Sequence, residues 1–274
     1  METLDGYGVL VTGGGSGIGL GCARRLLAGG AAAVTIAGRS EERLKSAAAE
    51  VGDERLHWIA ADVTDEEAVA AAVAAATENA GGRLDAVLAA AGGSEHMGPL
   101  ALCDVAKFRA VVDVNVVGTF LTLKHAAPVM ARAGRGSFVG ISSIAGALTH
   151  RYLGPYCVGK AGIDMLVRVA ADELGPSGIR VNSIRPGLID TELVAGITAG
   201  GPVLDDYLAQ MALARVGTVE DIAGAVAYLV GPESTWVTGQ VLAVDGGQTL
   251  RRGPDYTAFA EPVYGADALR GLVP

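Results

Sequence analysis

Hydrophobic positions in this chain come as short runs separated by longer amphipathic stretches, the pattern expected when strands buried on both faces alternate with helices. Val9-Leu10-Val11, Ala33 to Ala37, Leu56 to Ala60, Leu84 to Ala90, Gly136 to Ile141, Ile179 to Ile184 and Gln240 to Val244 read as seven strands. Helical spacing fills the intervals: a segment through Leu27, residues 41–51, an alanine-rich run from a Thr64-Asp65-Glu66-Glu67 capping box to about Asn79, a long helix over about 104–132, and residues 219–230. A further helix follows Tyr156, with apolar positions at Ile163, Leu166, Val167, Ala170, Ala171 and Leu174. The pattern predicts an α/β protein: one doubly wound parallel sheet of about seven strands flanked by helices, with right-handed crossovers. Residues 1–250 read as a single domain, with no linker or repeat dividing it. The apolar stretch 188–217 carries Gly196, Gly200 and Gly201 and reads as a loop-rich lid.

Composition narrows the function classes. The chain has 274 residues, half of them hydrophobic, which suffices for one large core, and its 40 glycines suit close packing of helices on a sheet. A net charge of −9 argues against nucleic acid or an anionic membrane surface as the main partner. The start Met1-Glu2-Thr3-Leu4 lacks the basic and apolar regions of a signal peptide, and no apolar run reaches membrane-spanning length. Cys22, Cys103 and Cys157 are odd in number and widely spaced, so neither a disulfide framework nor a metal site is expected. These features predict a reduced, cytoplasmic protein.

The candidate chemistry lies at the carboxyl ends of the strands. After the first strand, Thr12-Gly13-Gly14-Gly15-Ser16-Gly17-Ile18-Gly19 leads into a helix, the order a pyrophosphate site requires: glycines turn tightly and helix N–H groups face the anion. The second strand ends in Gly38-Arg39 where an acid would accept from a ribose 2′-hydroxyl, and a basic residue there favours NADP(H) over NAD(H). The alternative for Arg39 is a solvated residue at a helix start. Asp62 and Val63 follow the third strand, where the carboxylate either meets the adenine or merely makes a turn; Ala91-Gly92 follows the fourth. Asn115 lies in an apolar run and is either a polar group that bends its helix or part of a proton path. Tyr156 and Lys160 are one helical turn apart, so their side chains share a face. An ammonium about 5 Å from the phenol is worth roughly 3 kcal/mol, about two pKa units, enough to tune it for acid–base work on a carbonyl or alcohol.

Taken together, Thr12-Gly-x-x-x-Gly17-Ile-Gly19, Asp62, Asn115, Ser143, Tyr156-x-x-x-Lys160 and Pro186-Gly187 with Thr191 resemble the short-chain dehydrogenase/reductase family over about residues 5–250. The resemblance implies a Rossmann fold, hydride transfer with a nicotinamide dinucleotide, Tyr156 as acid/base, and Ser143 polarising the substrate oxygen. It further implies Lys160 holding the nicotinamide ribose and lowering the phenol pKa, with Asn115 holding a relay water. Cofactor contacts are expected from Gly13, Gly15, Ser16, Gly17, Ile18, Gly19, Arg39, Asp62, Val63, Ala91, Gly92, Tyr156, Lys160, Pro186, Gly187, Ile189 and Thr191. Ser143, His150, Tyr152, Leu188 and Leu193 are the substrate candidates. Ser142 competes with Ser143, and spacing to Tyr156 favours the latter. One departure is Ala89-Ala90 where the family carries two asparagines.

The expected partner is a small carbonyl or alcohol, interconverted between ketone and secondary alcohol; a 3-oxoacyl-thioester reductase is the alternative, and a non-catalytic dinucleotide sensor the rival of another class. Relatives often assemble, so a homotetramer or homodimer is expected. The extension 251–274, with Tyr256, Phe259 and Tyr264, then either packs on a neighbouring subunit or stays disordered.

Overall fold

The short apolar runs become one seven-stranded parallel sheet: β1 (Gly8–Thr12), β2 (Ala33–Gly38), β3 (Leu56–Ala60), β4 (Ala86–Ala89), β5 (Gly136–Ile141), β6 (Ile179–Pro186) and β7 (Val241–Val244), in the order β3-β2-β1-β4-β5-β6-β7. The computed structural model describes residues 4–94 and 96–272; the acidic start Met1–Thr3 and the last two residues of the extension, on which two of the expectations above fall, lie outside them. Strand order reverses between β1 and β4, so the crevice beyond their carboxyl ends is where such sheets take ligands.

Strand alternation sorts the core onto the two faces. Val9 and Val11 of β1 and Leu88 of β4 join one cluster with Leu26, Ile222 and Val226, whereas Leu10 and Val87 join another with Phe138, Met130 and Ile163. Helices α1 (Gly17–Ala28), α2 (Glu41–Val51) and α3 (Glu66–Asn79) follow the first three strands. Asp65, not Thr64, caps α3, accepting from the N–H groups of Glu67 and Ala68. Thr64 instead donates to Asp62 Oδ1 from its hydroxyl at 2.8 Å, so the expected capping box is not formed. Asp62 takes up the turn because its carboxylate lies two residues upstream, within reach of the Thr64 N–H as well.

The long helix expected over 104–132 is interrupted. It runs as α4 (Val105–Val112), a π-helical turn over Asp113–Val117, and α5 (Gly118–Arg132). Asn115 lies in that turn, fully buried, and donates from Nδ2 to the carbonyls of Val111 at 2.8 Å and Gly93 at 2.7 Å. A side chain that takes a backbone carbonyl of its own helix and reaches across to a loop is a sufficient local cause for a wider turn.

The lid also differs from the loop-rich expectation. After α6 (Gly154–Leu174) and β6 it forms α7 (Ala195–Thr198) and α8 (Pro202–Gln210), followed by α9 (Val219–Val230). Val203, Tyr207 and Met211 bury one face of the lid against Leu188, Ile144 and Tyr256. Its apolar content is thus a helix face, which the glycines had disguised as loop. The extension folds as α10 (Thr257–Leu269), broken at Gly265, and packs on its own chain: Tyr256 is buried beside Tyr207, and the Tyr264 hydroxyl donates to the Met97 carbonyl at 2.9 Å. Among the described residues no helix is long and apolar enough to cross a membrane.

Candidate active site

A cavity of about 1210 Å³ runs along the carboxyl edge of the sheet, from Arg39 at the end of β2 across the glycine loop and Tyr156 to the lid and extension. At one end, the loop between β1 and α1 leaves no room for side chains. Gly13 has φ +68°, and a Cβ there would lie 2.7 Å from the Ala91 N; a Cβ on Gly19 would lie 2.2 Å from the Gly13 carbonyl. Ser16 begins α1 without a side-chain cap, so the first N–H groups of a 12-residue helix face the cavity unclaimed by that hydroxyl. Gly13, Gly15, Ser16, Gly17, Ile18 and Gly19 all line the cavity, as do Arg39, Asp62, Val63, Ala91, Gly92, Pro186, Gly187, Ile189 and Thr191. This cradle and volume fit a dinucleotide, with Lys160 and Tyr156 at the far side of the glycine loop.

Helix α6 begins at Gly154 with Pro155 in its first turn, which places Tyr156 and Lys160 on the face toward β5. Lys160 Nζ lies 5.5 Å from the Tyr156 ring centroid and donates to the Ile141 carbonyl at 2.8 Å. Burial pushes the ammonium down to about 8, opposed by the charge of Asp164 one turn further along the helix. Asp164 is itself buried, accepting from Ser183 Oγ and Arg185 Nε, each at 2.8 Å. The phenol departs from expectation: burial raises its pKa, and the hydrogen bond from Ser143 opposes this only in part. The physical reason is that the phenol sits in the wall of the cavity, largely withdrawn from water, so desolvation of the phenolate outweighs the favourable hydrogen bond.

The two serines at the end of β5 have different work. Ser142 is buried and donates to the Lys160 carbonyl at 3.0 Å, tying strand to helix. Ser143 is extended, accepts from the Ala145 N–H at 3.1 Å and shares a hydrogen bond with Tyr156. Asn115 does not line the cavity. Its amide is taken by Gly93 and Val111, so it clamps the backbone behind Ala91-Gly92, and Thr12 Oγ1 accepts from Ala91 on the other side at 3.5 Å. These contacts brace the loop after β4.

Among the substrate candidates, His150, Leu188 and Leu193 line the cavity; Tyr152 does not. Tyr152 adopts φ +69° and its hydroxyl accepts from Arg151 at 3.1 Å, because the turn before α6 directs its ring into the packing beneath the lid. Arg43 and Tyr207 line the cavity without having been singled out in the sequence, and Tyr256 and Phe259, expected against a neighbouring subunit, line the cavity of their own chain. Arg43 lines the same cavity as Arg39 and reaches Glu192 of the lid at 3.8 Å. Tyr207, Tyr256 and Phe259 close the lid side. The available signal was aromatic residues concentrated late in an aromatic-poor chain. His96 is buried, and its Nε2 has no hydrogen-bond partner among the described residues. No cluster of three or more metal-ligating side chains occurs among the described residues.

Comparison with known proteins bears on this arrangement. A family model described as enoyl-(acyl carrier protein) reductase matches residues 13–249. A cis-4-hydroxycyclohexanecarboxylate dehydrogenase from Sinomonas cyclohexanicum is 41% identical over 242 residues, covering 88% of this chain and 95% of its own. A galactitol 2-dehydrogenase (L-tagatose-forming) from Cereibacter sphaeroides is 34% identical over 249 residues, covering 90% and 96%. The solved structure of a short-chain type dehydrogenase/reductase from Mycobacterium ulcerans is 50% identical with a TM-score of 0.96, covering 99% of this chain and all of that one, 100%.

Proposed function

The chain belongs to the short-chain dehydrogenase/reductase family and is an oxidoreductase that interconverts alcohols and ketones with a nicotinamide dinucleotide, and from that premise we propose that Tyr156 moves the proton, with NADP(H) as the preferred cofactor. When bound, the dinucleotide gives or takes the hydride. In reduction, the carbonyl π pair moves to oxygen and takes the phenol proton of Tyr156; in oxidation, the tyrosinate takes it back. Ser143 donates to the same oxygen, and Lys160 holds the ribose side and the phenol in position. The observation that carries this reading is the Ser143–Tyr156–Lys160 set, with Lys160 buried and the other two in the cavity wall, beside a glycine cradle in one cavity. Asn115 acts by holding the Gly93 backbone. The substrate is proposed to be a secondary alcohol with an apolar body, or its ketone, since Leu153, Ile197 and Phe259 line the lid side.

A cofactor-oxidation screen against ring ketones, 3-oxoacyl thioesters and enoyl thioesters, with NADPH and NADH in parallel, tests the reading. Ketone reduction with NADPH is expected; turnover of only the enoyl compounds would sink it. A carrier-protein substrate would favour a basic entrance, for which the chain offers Arg132, Arg135, Arg151 and Arg168; Arg135 is paired with Asp85 and Arg151 with Asp255, so thioesters of a carrier rank second.

NADP(H) preference rests on Arg39, just past β2, and Arg43, in the first turn of α2, both lining the cavity. The double variant Arg39→Ala, Arg43→Ala is expected to lose roughly 10- to 100-fold in kcat/KM with NADPH and little with NADH. A wild-type enzyme that prefers NADH would remove this part of the proposal.

Assembly and compartment are further parts of the reading. Val158, Met165 and Val169 make an exposed stripe along α6, with Phe120 of α5 also exposed. Such a stripe suits a second copy of the chain, as homodimer or homotetramer. Light scattering on Met165→Glu should give a lower mass than wild type, and a wild type of single-chain mass would exclude assembly. The three cysteines are free, which fits a reducing cytoplasm; secretion of the native protein in its host would contradict that.

A further inference from the structure

The lid side of the cavity carries a polar group that the proton-transfer site does not use. The Tyr207 and Tyr256 hydroxyls lie 2.7 Å apart, both rings are buried, and both line the cavity. His150 lines it too, with its ring centroid 6.3 Å from each tyrosine ring. The hydrogen-bond pattern fixes what this group offers. His150 Nδ1 faces the Leu148 carbonyl at 3.0 Å, and a carbonyl only accepts, so Nδ1 carries the proton. Burial lowers the imidazole pKa, which favours the neutral ring and leaves Nε2 as an acceptor. In the tyrosine pair one hydroxyl donates to the other, and the second keeps its own proton to donate elsewhere. The set is neutral and offers one spare hydroxyl donor together with acceptors, the imidazole nitrogen and the phenol oxygens.

A group that both donates and accepts through one oxygen is a hydroxyl. A carboxylate only accepts, and it would need a cation. Among the described residues the cavity-lining cations are Arg39, just past β2, Arg43 in the first turn of α2, and Lys160. None belongs to the lid or to the extension. We propose that His150, Tyr207 and Tyr256 form a subsite for a second hydroxyl of the substrate, so that this enzyme acts on an uncharged diol or hydroxyketone rather than on a hydroxy acid. The inference rests on the alcohol–ketone reading above. It assigns the C-terminal extension a part in specificity, because Tyr256 comes from the segment leading into α10.

The test is oxidation of cyclohexanol, the 1,2-, 1,3- and 1,4-cyclohexanediols and 4-hydroxycyclohexanecarboxylate by wild type, Tyr256→Phe, Tyr207→Phe and the double phenylalanine variant. The double variant removes both partners of the buried hydrogen bond together, which leaves no hydroxyl unpaired and guards against a folding defect. At least one diol is expected to exceed both cyclohexanol and the hydroxy acid in kcat/KM by roughly tenfold, and the double variant should erase that ratio. Equal losses for diol and cyclohexanol, or a hydroxy acid turned over best, would overturn the subsite while leaving the reaction intact. Absence of turnover on every alcohol, with dinucleotide binding demonstrated by fluorescence titration, would overturn the reaction and the subsite together.

Discussion

Tyr156→Phe is expected to lower turnover by about 10²- to 10⁴-fold, with a much smaller change in dinucleotide affinity. The substitution removes one oxygen and keeps the ring, so the packing around the half-buried side chain persists. What is lost is the proton donor and acceptor at the substrate oxygen. Burial raises the phenol pKa, so the tyrosinate needed to oxidise an alcohol is scarce at neutral pH. Oxidation by wild type should therefore accelerate as pH rises into the alkaline range, whereas reduction, which uses the neutral phenol, should not need high pH. Steady-state kinetics in both directions from pH 6 to 10 read this out. Retention of wild-type turnover in the phenylalanine variant would remove Tyr156 from the mechanism.

Lys160→Met should give the second large effect, on stability as well as activity. The folded ammonium titrates at about 8 against 10.5 for the ordinary group, and burial is the main cause. A depressed lysine pKa means that the unfolded chain holds more protons between these values, so stability rises with pH across that window. Below pH 8 the folded protein carries the whole cost of burying a charge, roughly 3 kcal/mol from a shift of this size. The variant lacks that cost. In urea unfolding of cofactor-free protein it should gain on wild type at pH 7, and the gap should move in favour of wild type as pH approaches 10. Comparing the two at each pH cancels the tyrosines and cysteines, whose raised values act on both proteins alike. Parallel stability profiles would show that the buried ammonium is not the source. Turnover should fall in the same variant, because the amine that holds the Ile141 carbonyl and lies beside Tyr156 is gone.

Asp164 explains why Lys160 is not depressed further. It is a buried carboxylate satisfied by Ser183 and Arg185, and its field favours the ammonium one turn away. A buried pair of this kind is weak evidence for net stability, yet it holds α6 against β6 in a fixed register. The same helix carries Tyr156, so the pair sets where the phenol sits relative to the sheet.

Much of this was legible in the chain itself. Alternation of apolar runs and helical periodicity determined the parallel sheet, because strands covered on both faces must be apolar throughout, and the order of glycine loop, Ser143, Tyr156 and Lys160 placed the candidate chemistry along one sheet edge. Local rules gave those features because each depends on neighbours within a few residues. Tertiary structure alone decided the rest. It broke the helix at Asn115, since that amide bonds a loop 22 residues away. It turned the glycine-marked lid into helices, since their apolar face is buried by Tyr256 from the far end of the chain. It raised the Tyr156 pKa where the Tyr-x-x-x-Lys spacing had implied a lower one, since desolvation depends on everything packed around the ring. It also joined Tyr207 to Tyr256 across 49 positions. Burial and long-range hydrogen bonds are properties of the folded surroundings, which no local sequence pattern records.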